Sequence, residues 1–239
     1  MGTLIEKLAQ EKKYETVSID PNNNEANFSE INLESLNEVD VAIEFSHPTS
    51  AIENFHKLIE HNIPVVAGVT GWYDTVDEIK ELVLKNDSSF VYAGNFSLGV
   101  QLYFKVIEQT AKLFNSFSEF DVAGYEFHHN QKADSPSGTA ETIIKKLLEN
   151  IDRKDKVVID SPQEKIKENE LSFPALRVGS VPGTHAVLFD SSVDTIEIKH
   201  TARNREGFAL GSIQAAEWLI GKKGFYTVDD LINSIISGK

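Results

Sequence analysis

Apolar and polar positions change period several times along this chain, and the changes mark its elements. Leu4, Ile5 and Leu8 have the spacing of a short amphipathic helix, and Tyr14–Ile19 reads as a strand ending at Asp20. The apolar run from Asp40 to Phe45 predicts a buried strand closed by Ser46, His47 and Pro48. Thr49–His61 then places Ile52, Phe55, Leu58 and Ile59 on one helical face. A strand at Pro64–Ala67, a helix at Thr75–Lys85 and a strand at Phe90–Ala93 follow. Strand and helix alternate in this way through about the first hundred residues. Such alternation predicts a Rossmann-like, doubly wound parallel sheet with ligands outside the carboxyl ends of its strands.

The second part of the chain has a different rhythm. A helix is predicted from Leu98 to about Asn115, a strand over Phe120–Phe127, and a helix over Thr139–Asn150 with Ile143, Ile144, Leu147 and Leu148 as its stripe. The charged, turn-rich stretch Asp152–Glu170 reads as exposed strand and loop. Phe173–Val178, His185–Phe189 and Thr195–Thr201 alternate as antiparallel strands do. This pattern predicts an α+β domain with a mixed or antiparallel sheet. Ile213, Ala216, Trp218 and Leu219 form one further helical stripe, and Thr227 caps a final helix through Leu231, Ile232 and Ile235.

Composition narrows the function. The chain has 239 residues, enough for two small domains, and no cysteine, so it has neither a disulfide framework nor a thiolate metal site. Its apolar runs are too short to span a bilayer and no leader opens the chain, so a cytoplasmic protein without a membrane partner is expected. A net charge of -14 argues against a nucleic-acid partner, which needs a positive field. An anionic substrate would need a local basic pocket, for which Lys132, Arg177, Lys199, Arg203 and Arg205 are candidates.

Chemistry concentrates between Tyr125 and Ala140, in a strand, a loop and the start of a helix. Gly138 at that start leaves backbone NH groups open to a carboxylate or phosphate, with His128, His129 and Lys132 around it. Two adjacent histidines on a strand point to opposite faces, which argues against a shared metal, and no metal is expected. Taken singly, each residue has an ordinary reading: a hydrogen-bonded histidine, a solvated lysine, a helix cap. The combination is specific. Glu126-x-His128-His129-x-x-Lys132-x-Asp134-x-Pro136-Ser137-Gly138-Thr139-Ala140 resembles the signature of the dihydrodipicolinate reductase family of lysine and diaminopimelate biosynthesis.

The resemblance covers nearly the whole chain and implies a nicotinamide-dependent oxidoreductase. It implies that residues 1–97 and 206–239 bind the dinucleotide, and that residues 98–205 bind substrate and assemble the oligomer. By the motif, His128 is the general acid, Lys132 the cation and second donor, and His129, Gly138 and Thr139 hold a small dicarboxylate. Two turns resemble those that meet the nicotinamide half of the cofactor, giving Gly68, Val69 and Thr70, then Ala93, Gly94, Asn95 and Phe96. Asp20, with Pro21 and Asn22 after it and no adjacent Arg or Lys, favours NADH over NADPH, although the family accepts both. A homotetramer is implied, and Val187, Phe189, Ile196 and Ile198 are expected to need a second subunit for burial.

In relatives a strand and a glycine-rich loop lead into the first helix, and here only Met1-Gly2 stands before it. An N-terminal truncation of roughly ten residues is therefore expected, one strand and a tight turn. Two other readings stay open on the sequence: another two-domain nicotinamide-dependent amino-acid dehydrogenase, and a truncated, cofactor-deficient binding protein. Amino-acid dehydrogenases have no need of His-His-x-x-Lys ahead of a Ser-Gly-Thr helix start, whereas the missing first strand keeps the binding-protein reading open.

Overall fold

A computed structural model describes residues 1–159 and 164–238. In chain order the elements are α1 (Gly2–Glu11), β1 (Ala42–Glu44), α2 (Pro48–Glu60), β2 (Val65–Ala67), α3 (Val76–Lys85), β3 (Ser89–Tyr92) and α4 (Leu98–Asn115). Then come β4 (Asp121–His128), α5 (Gly138–Asn150), β5 (Lys156–Val158), β6 (Glu170–Ser172), β7 (Ala175–Arg177), β8 (Thr184–Asp190) and β9 (Thr195–Thr201). The described chain ends with α6 (Glu206–Leu219), β10 (Gly224–Thr227) and α7 (Val228–Ser237). It divides into two units, Met1–Leu98 with Glu206–Lys239, and Gly99–Arg205.

The first unit is α/β. Its sheet runs β1-β2-β3-β10 with every pairing parallel. Side chains alternate along its strands: Val65, Ala67 and Phe90 join one core with Phe55 and Trp72, while Val66 and Val91 join another with Leu219, Leu231 and Ile232. Burial on both faces is what a helix-covered parallel sheet requires. Phe55 meets Trp72 and Phe90 edge to face, with ring centroids 5.1 and 5.0 Å apart, an arrangement the ring quadrupoles favour. Gly211 lets α6 approach closely, because a Cβ there would lie 1.8 Å from the Phe96 carbonyl oxygen. On α1, Ile5 and Ala9 pack against Ala209 and Ile213 of α6.

Two expectations for this unit are corrected. Tyr14–Ile19 forms no sheet strand and keeps only one bridge, Ile19 to Phe28. Local side-chain bonds hold the segment instead: Asn27 Oδ1 accepts from the Ser18 NH at 2.8 Å, and Asp20 Oδ1 accepts from the Asn22 NH at 2.8 Å. Such bonds offer the backbone an alternative to a ladder. Tyr14 also leaves the strand pattern, its hydroxyl donating to Glu217 at 2.8 Å. The second correction is β10, read from sequence only as the approach to a helix cap. It is the sheet's fourth strand, and Asp230 of α7 accepts from the Thr227 NH at 2.7 Å.

The second unit is α+β. Its mixed sheet runs β5-β6-β4-β8-β9, with β7 also on β4. Strand β4 is its axis, parallel to β6 and β7 and antiparallel to β8. The strand expected over Phe173–Val178 is shorter, β7 covering Ala175–Arg177, and Pro174, which has no NH to give a ladder, stands between it and β6. Ile107, Ile143, Leu147, Phe173 and Phe189 are fully buried beneath the sheet. Gly124 makes room for Phe173, whose ring would be 2.3 Å from a Cβ at that position. Lys154, 2% exposed, donates to the carbonyls of Glu168 and Glu170 at 2.7 and 2.9 Å and pairs with Asp121 at 2.7 Å. Within the exposed stretch expected at Asp152–Glu170, residues 160–163 lie outside the described residues.

The apolar residues set aside for assembly divide. Val187 and Phe189 are fully buried within this unit and need no second subunit, and Ile198 packs on the same core. Ile196 on the edge strand β9 is 43% exposed and the neighbouring Val193 86%. Among the described residues no helix is long and apolar enough to cross a membrane.

Candidate active site

The site is laid out by strand register. Glu126 and His128 are two residues apart on β4, so their side chains share a face. Antiparallel pairing sets His185 of β8 opposite Glu126, and parallel pairing sets Arg177 of β7 beside His128. Ser137, the N-cap of α5, accepts from the Ala140 NH at 3.1 Å and so ties the helix start to the same place.

Glu126 is the hub. It is fully buried, its Oε1 accepts from the Ser137 NH at 3.1 Å, and its Oε2 accepts from the Ser137 hydroxyl. Arg177 approaches Oε1 at 3.4 Å, and His185 Nε2 lies 3.3 Å from Oε2. Burial works to raise this carboxyl, but hydrogen bonds from His185 and Ser137 outweigh it and hold the group down at about 2. Arg177 also donates to the Asp134 carbonyl at 2.6 Å, anchoring the loop between β4 and α5.

His128 lies at the carboxyl end of β4, 7% exposed, with Nδ1 3.4 Å from Glu126 Oε2. Burial pushes the imidazole down to about 4 against the pull of Glu126, so the free protein holds it neutral near pH 7. A Cβ on Gly183 would come within 3.0 Å of His128 Nε2, so the bare glycine keeps space beside that nitrogen. His129 is half-buried just past the strand, and its carbonyl accepts from the Lys132 NH at 3.1 Å. Lys132 Nζ is held between the Asp134 carboxylate oxygens at 2.7 and 2.8 Å. Gly138 opens α5 with nothing within 4 Å of where its Cβ would be, and Thr139 is half-buried beside it.

From sequence, Glu126 is only the first residue of the motif, without a role, His185 is assigned none, and Arg177 is offered only as a generic cation. His185 stands beyond reach of any local spacing rule, since only the register of β4 with β8 brings it in. Glu126, His128 and His185 each place one ligand atom within 4.8 Å of the others. Ser137 and Arg177 already occupy the carboxylate, and we read the cluster as a hydrogen-bond network rather than a metal centre.

In the first unit the two glycine turns come together at the carboxyl ends of β2 and β3. The Gly68 NH donates to the Glu44 carbonyl at 2.9 Å, and a Cβ there would lie 2.1 Å from the Phe45 ring. Val69 is buried and its carbonyl accepts from the Trp72 indole at 3.0 Å, while Thr70 is exposed. Ala93 donates to the Ala67 carbonyl at 3.2 Å, and Asn95 Oδ1 accepts from the Ser97 NH at 2.8 Å. Phe96 is buried, whereas Gly94 is exposed, with 4.0 Å between its Cβ position and Thr70 Cγ2. Asp20, expected to close a second sheet strand, sits exposed in its turn.

Two family models match this chain, "Dihydrodipicolinate reductase, N-terminus" over residues 1–96 and "Dihydrodipicolinate reductase, C-terminus" over residues 99–232. The chain belongs to the dihydrodipicolinate reductase family. A 4-hydroxy-tetrahydrodipicolinate reductase of Christiangramia forsetii is 40% identical over 238 residues, which are 98% of this chain and 95% of that protein. One of Staphylococcus saprophyticus is 34% identical over 97% of this chain and 96% of its own length. Among solved structures, a dipicolinate-bound dihydrodipicolinate reductase from Paenisporosarcina sp. TG-14 superposes with a TM-score of 0.67 at 24% identity, covering 84% of this chain and 77% of that one. At that identity the likeness is one of fold. Membership makes the chain an oxidoreductase of lysine and diaminopimelate biosynthesis and sets aside the amino-acid dehydrogenase reading.

The buried pair gives the protein a defined acid response. His128 is shifted down from 6.5 to about 4, so between these values the unfolded chain takes up a proton that the folded one refuses. Stability from this residue is therefore lost as pH falls from about 6.5 to 4. Glu126 acts next, its contribution being lost as pH falls from 4.5 to about 2. Urea denaturation should show wild type losing more stability between pH 6.5 and 4.5 than His128→Gln, and equal losses would contradict the assignment.

Proposed function

We propose that this chain reduces 4-hydroxy-tetrahydrodipicolinate to tetrahydrodipicolinate with NAD(P)H, and that His128 is its general acid. The observation that carries the reading is a buried histidine whose Nε2 lies beside the bare Gly183, placed by β4 next to the network that holds the N-terminus of α5. The first unit would bind the dinucleotide and the second the substrate. Gly138 and Thr139 offer helix-start NH groups to one substrate carboxylate, and His129 contacts the substrate. The dipicolinate held by the Paenisporosarcina reductase is a dicarboxylate of this kind.

The nicotinamide, when bound, supplies the hydride. Gly68, Val69 and Thr70 with Ala93, Gly94, Asn95 and Phe96 would hold its reactive half, and the exposed backbone at Thr70 and Gly94 fits a ligand that approaches closely. The chain's own residues do the rest. The arriving dianion favours a proton on the otherwise neutral His128, which can then give it up as negative charge develops on the substrate. Lys132 supports that charge by exchanging its Asp134 contact for the substrate. A cytoplasmic site of action accords with this biosynthetic role.

His128→Gln should lower kcat by about two orders of magnitude or more with a smaller change in KM, the ordinary worth of a general acid. Steady-state kinetics with an undiminished kcat would sink the assignment. Lys132→Met should lower kcat and raise KM together, and a loss confined to thermal stability would make it structural.

NADH is the favoured cofactor. From Asp20 to Asp40 every charged residue is acidic, namely Asp20, Glu25, Glu30, Glu34, Glu38 and Asp40, and a 2'-phosphate would be repelled there. Calorimetry showing equal or tighter binding of NADPH would contradict this preference. The oligomer is proposed to be a homotetramer built on the substrate-domain sheet, whose edge strand β9 leaves Ile196 exposed beside Val193. A monomeric mass by light scattering at micromolar concentration would rule it out.

A further inference from the structure

We infer that Glu126 is the positioning residue of this site, holding His128 by its Nδ1 edge and the α5 N-cap by Ser137, so that acid and anion cradle keep one geometry. The inference deepens the proposed reaction and rests on His128 being its acid. Three contacts support it. Oε1 of Glu126 takes the Ser137 NH at 3.1 Å, while Oε2 takes the Ser137 hydroxyl and stands 3.4 Å from His128 Nδ1. That nitrogen is buried without a formed hydrogen bond, and 3.4 Å is longer than a made one. Catalytic hydrogen bonds in ligand-free sites commonly tighten when substrate binds.

The charges around His128 give Glu126 a specific task. His185 of β8, Arg177 of β7 and Lys132 of the following loop all work against a proton on His128, and the carboxylate of Glu126 works for it. With Nδ1 turned to the carboxylate, Nε2 is the nitrogen beside Gly183, which has no side chain of its own to fill that place. Glu126 thereby selects which nitrogen serves the substrate and how readily that nitrogen is protonated, without touching the substrate. The same carboxylate pins Ser137, so a change at Glu126 reaches the helix start as well.

The test follows kcat, which reports the substrate-bound enzyme, against pH for wild type, Glu126→Gln, Glu126→Asp and His128→Gln. Glu126→Gln should lower kcat by at least about tenfold, as loss of a histidine-orienting carboxylate does. It should also move the descending, high-pH limb about one pH unit lower, because the acid loses its proton sooner without the carboxylate. Glu126→Asp, which keeps the charge, should hold that limb near its wild-type position. A Glu126→Gln enzyme that is merely slower or less stable, with its limb unmoved, overturns the inference. Should that variant fail to fold, nitrogen-15 NMR of histidine-labelled wild type decides: the neutral His128 proton is expected on Nδ1, and finding it on Nε2 overturns the inference. An undiminished kcat in His128→Gln would instead remove the acid reading, a result separate from the Glu126 comparison.

Discussion

A buried carboxylate has to be answered by donors, and in the second unit that requirement joins a strand to a helix. Glu126 sits on β4, and both of its oxygens are met by Ser137, the cap of α5. An unpaired charge here would cost several kcal/mol, so the strand, the loop and the helix start are held to one arrangement. Arg177 extends the same constraint by gripping both Glu126 and the Asp134 carbonyl. The eight-residue strand β4 thus carries the core at Val122 and the polar network at Glu126 and His128 along one buried face.

The first unit solves a different problem with the same economy of contacts. Parallel strands buried on both faces end together, and their turns and covering helices must then pack closely. Gly68 against Phe45 and Gly211 against Phe96 are the places where a Cβ cannot fit. The turns that follow β2 and β3 are consequently adjacent, with exposed backbone at Thr70 and Gly94 supported by the buried Val69, Ala93 and Phe96. A rigid apolar support beneath an exposed turn is what a dinucleotide site needs.

Electrostatics in the two units also contrast. The acidic residues from Asp20 to Asp40 are spread over exposed turns, and Glu44 is the one buried acidic side chain of the first unit among the described residues. In the second unit Glu126, His128, His185 and Lys154 are all buried, each with specific partners or a specific neighbour. A cluster of buried titratable groups such as Glu126, His128 and His185 is a candidate place for proton chemistry.

Hydrophobic period, turn residues and the Glu126–Ala140 motif were enough to reveal the alternating α/β half, the α+β half and the family. Those signals are local: a helical stripe or a two-residue alternation is written into neighbouring positions. The His128 and Gly138 positions were legible for the same reason, since one short motif holds both. Tertiary structure alone decided what depends on pairing between distant segments. Strand register brought His185 and Arg177 to Glu126, and parallel pairing with β3 made Gly224–Thr227 a strand. It also withdrew the strand expected before Asp20, because short-range side-chain bonds there took the backbone groups that a ladder would have used. Long-range hydrogen bonding has no signature in local spacing, which is why the residues around His128 had to be found in three dimensions.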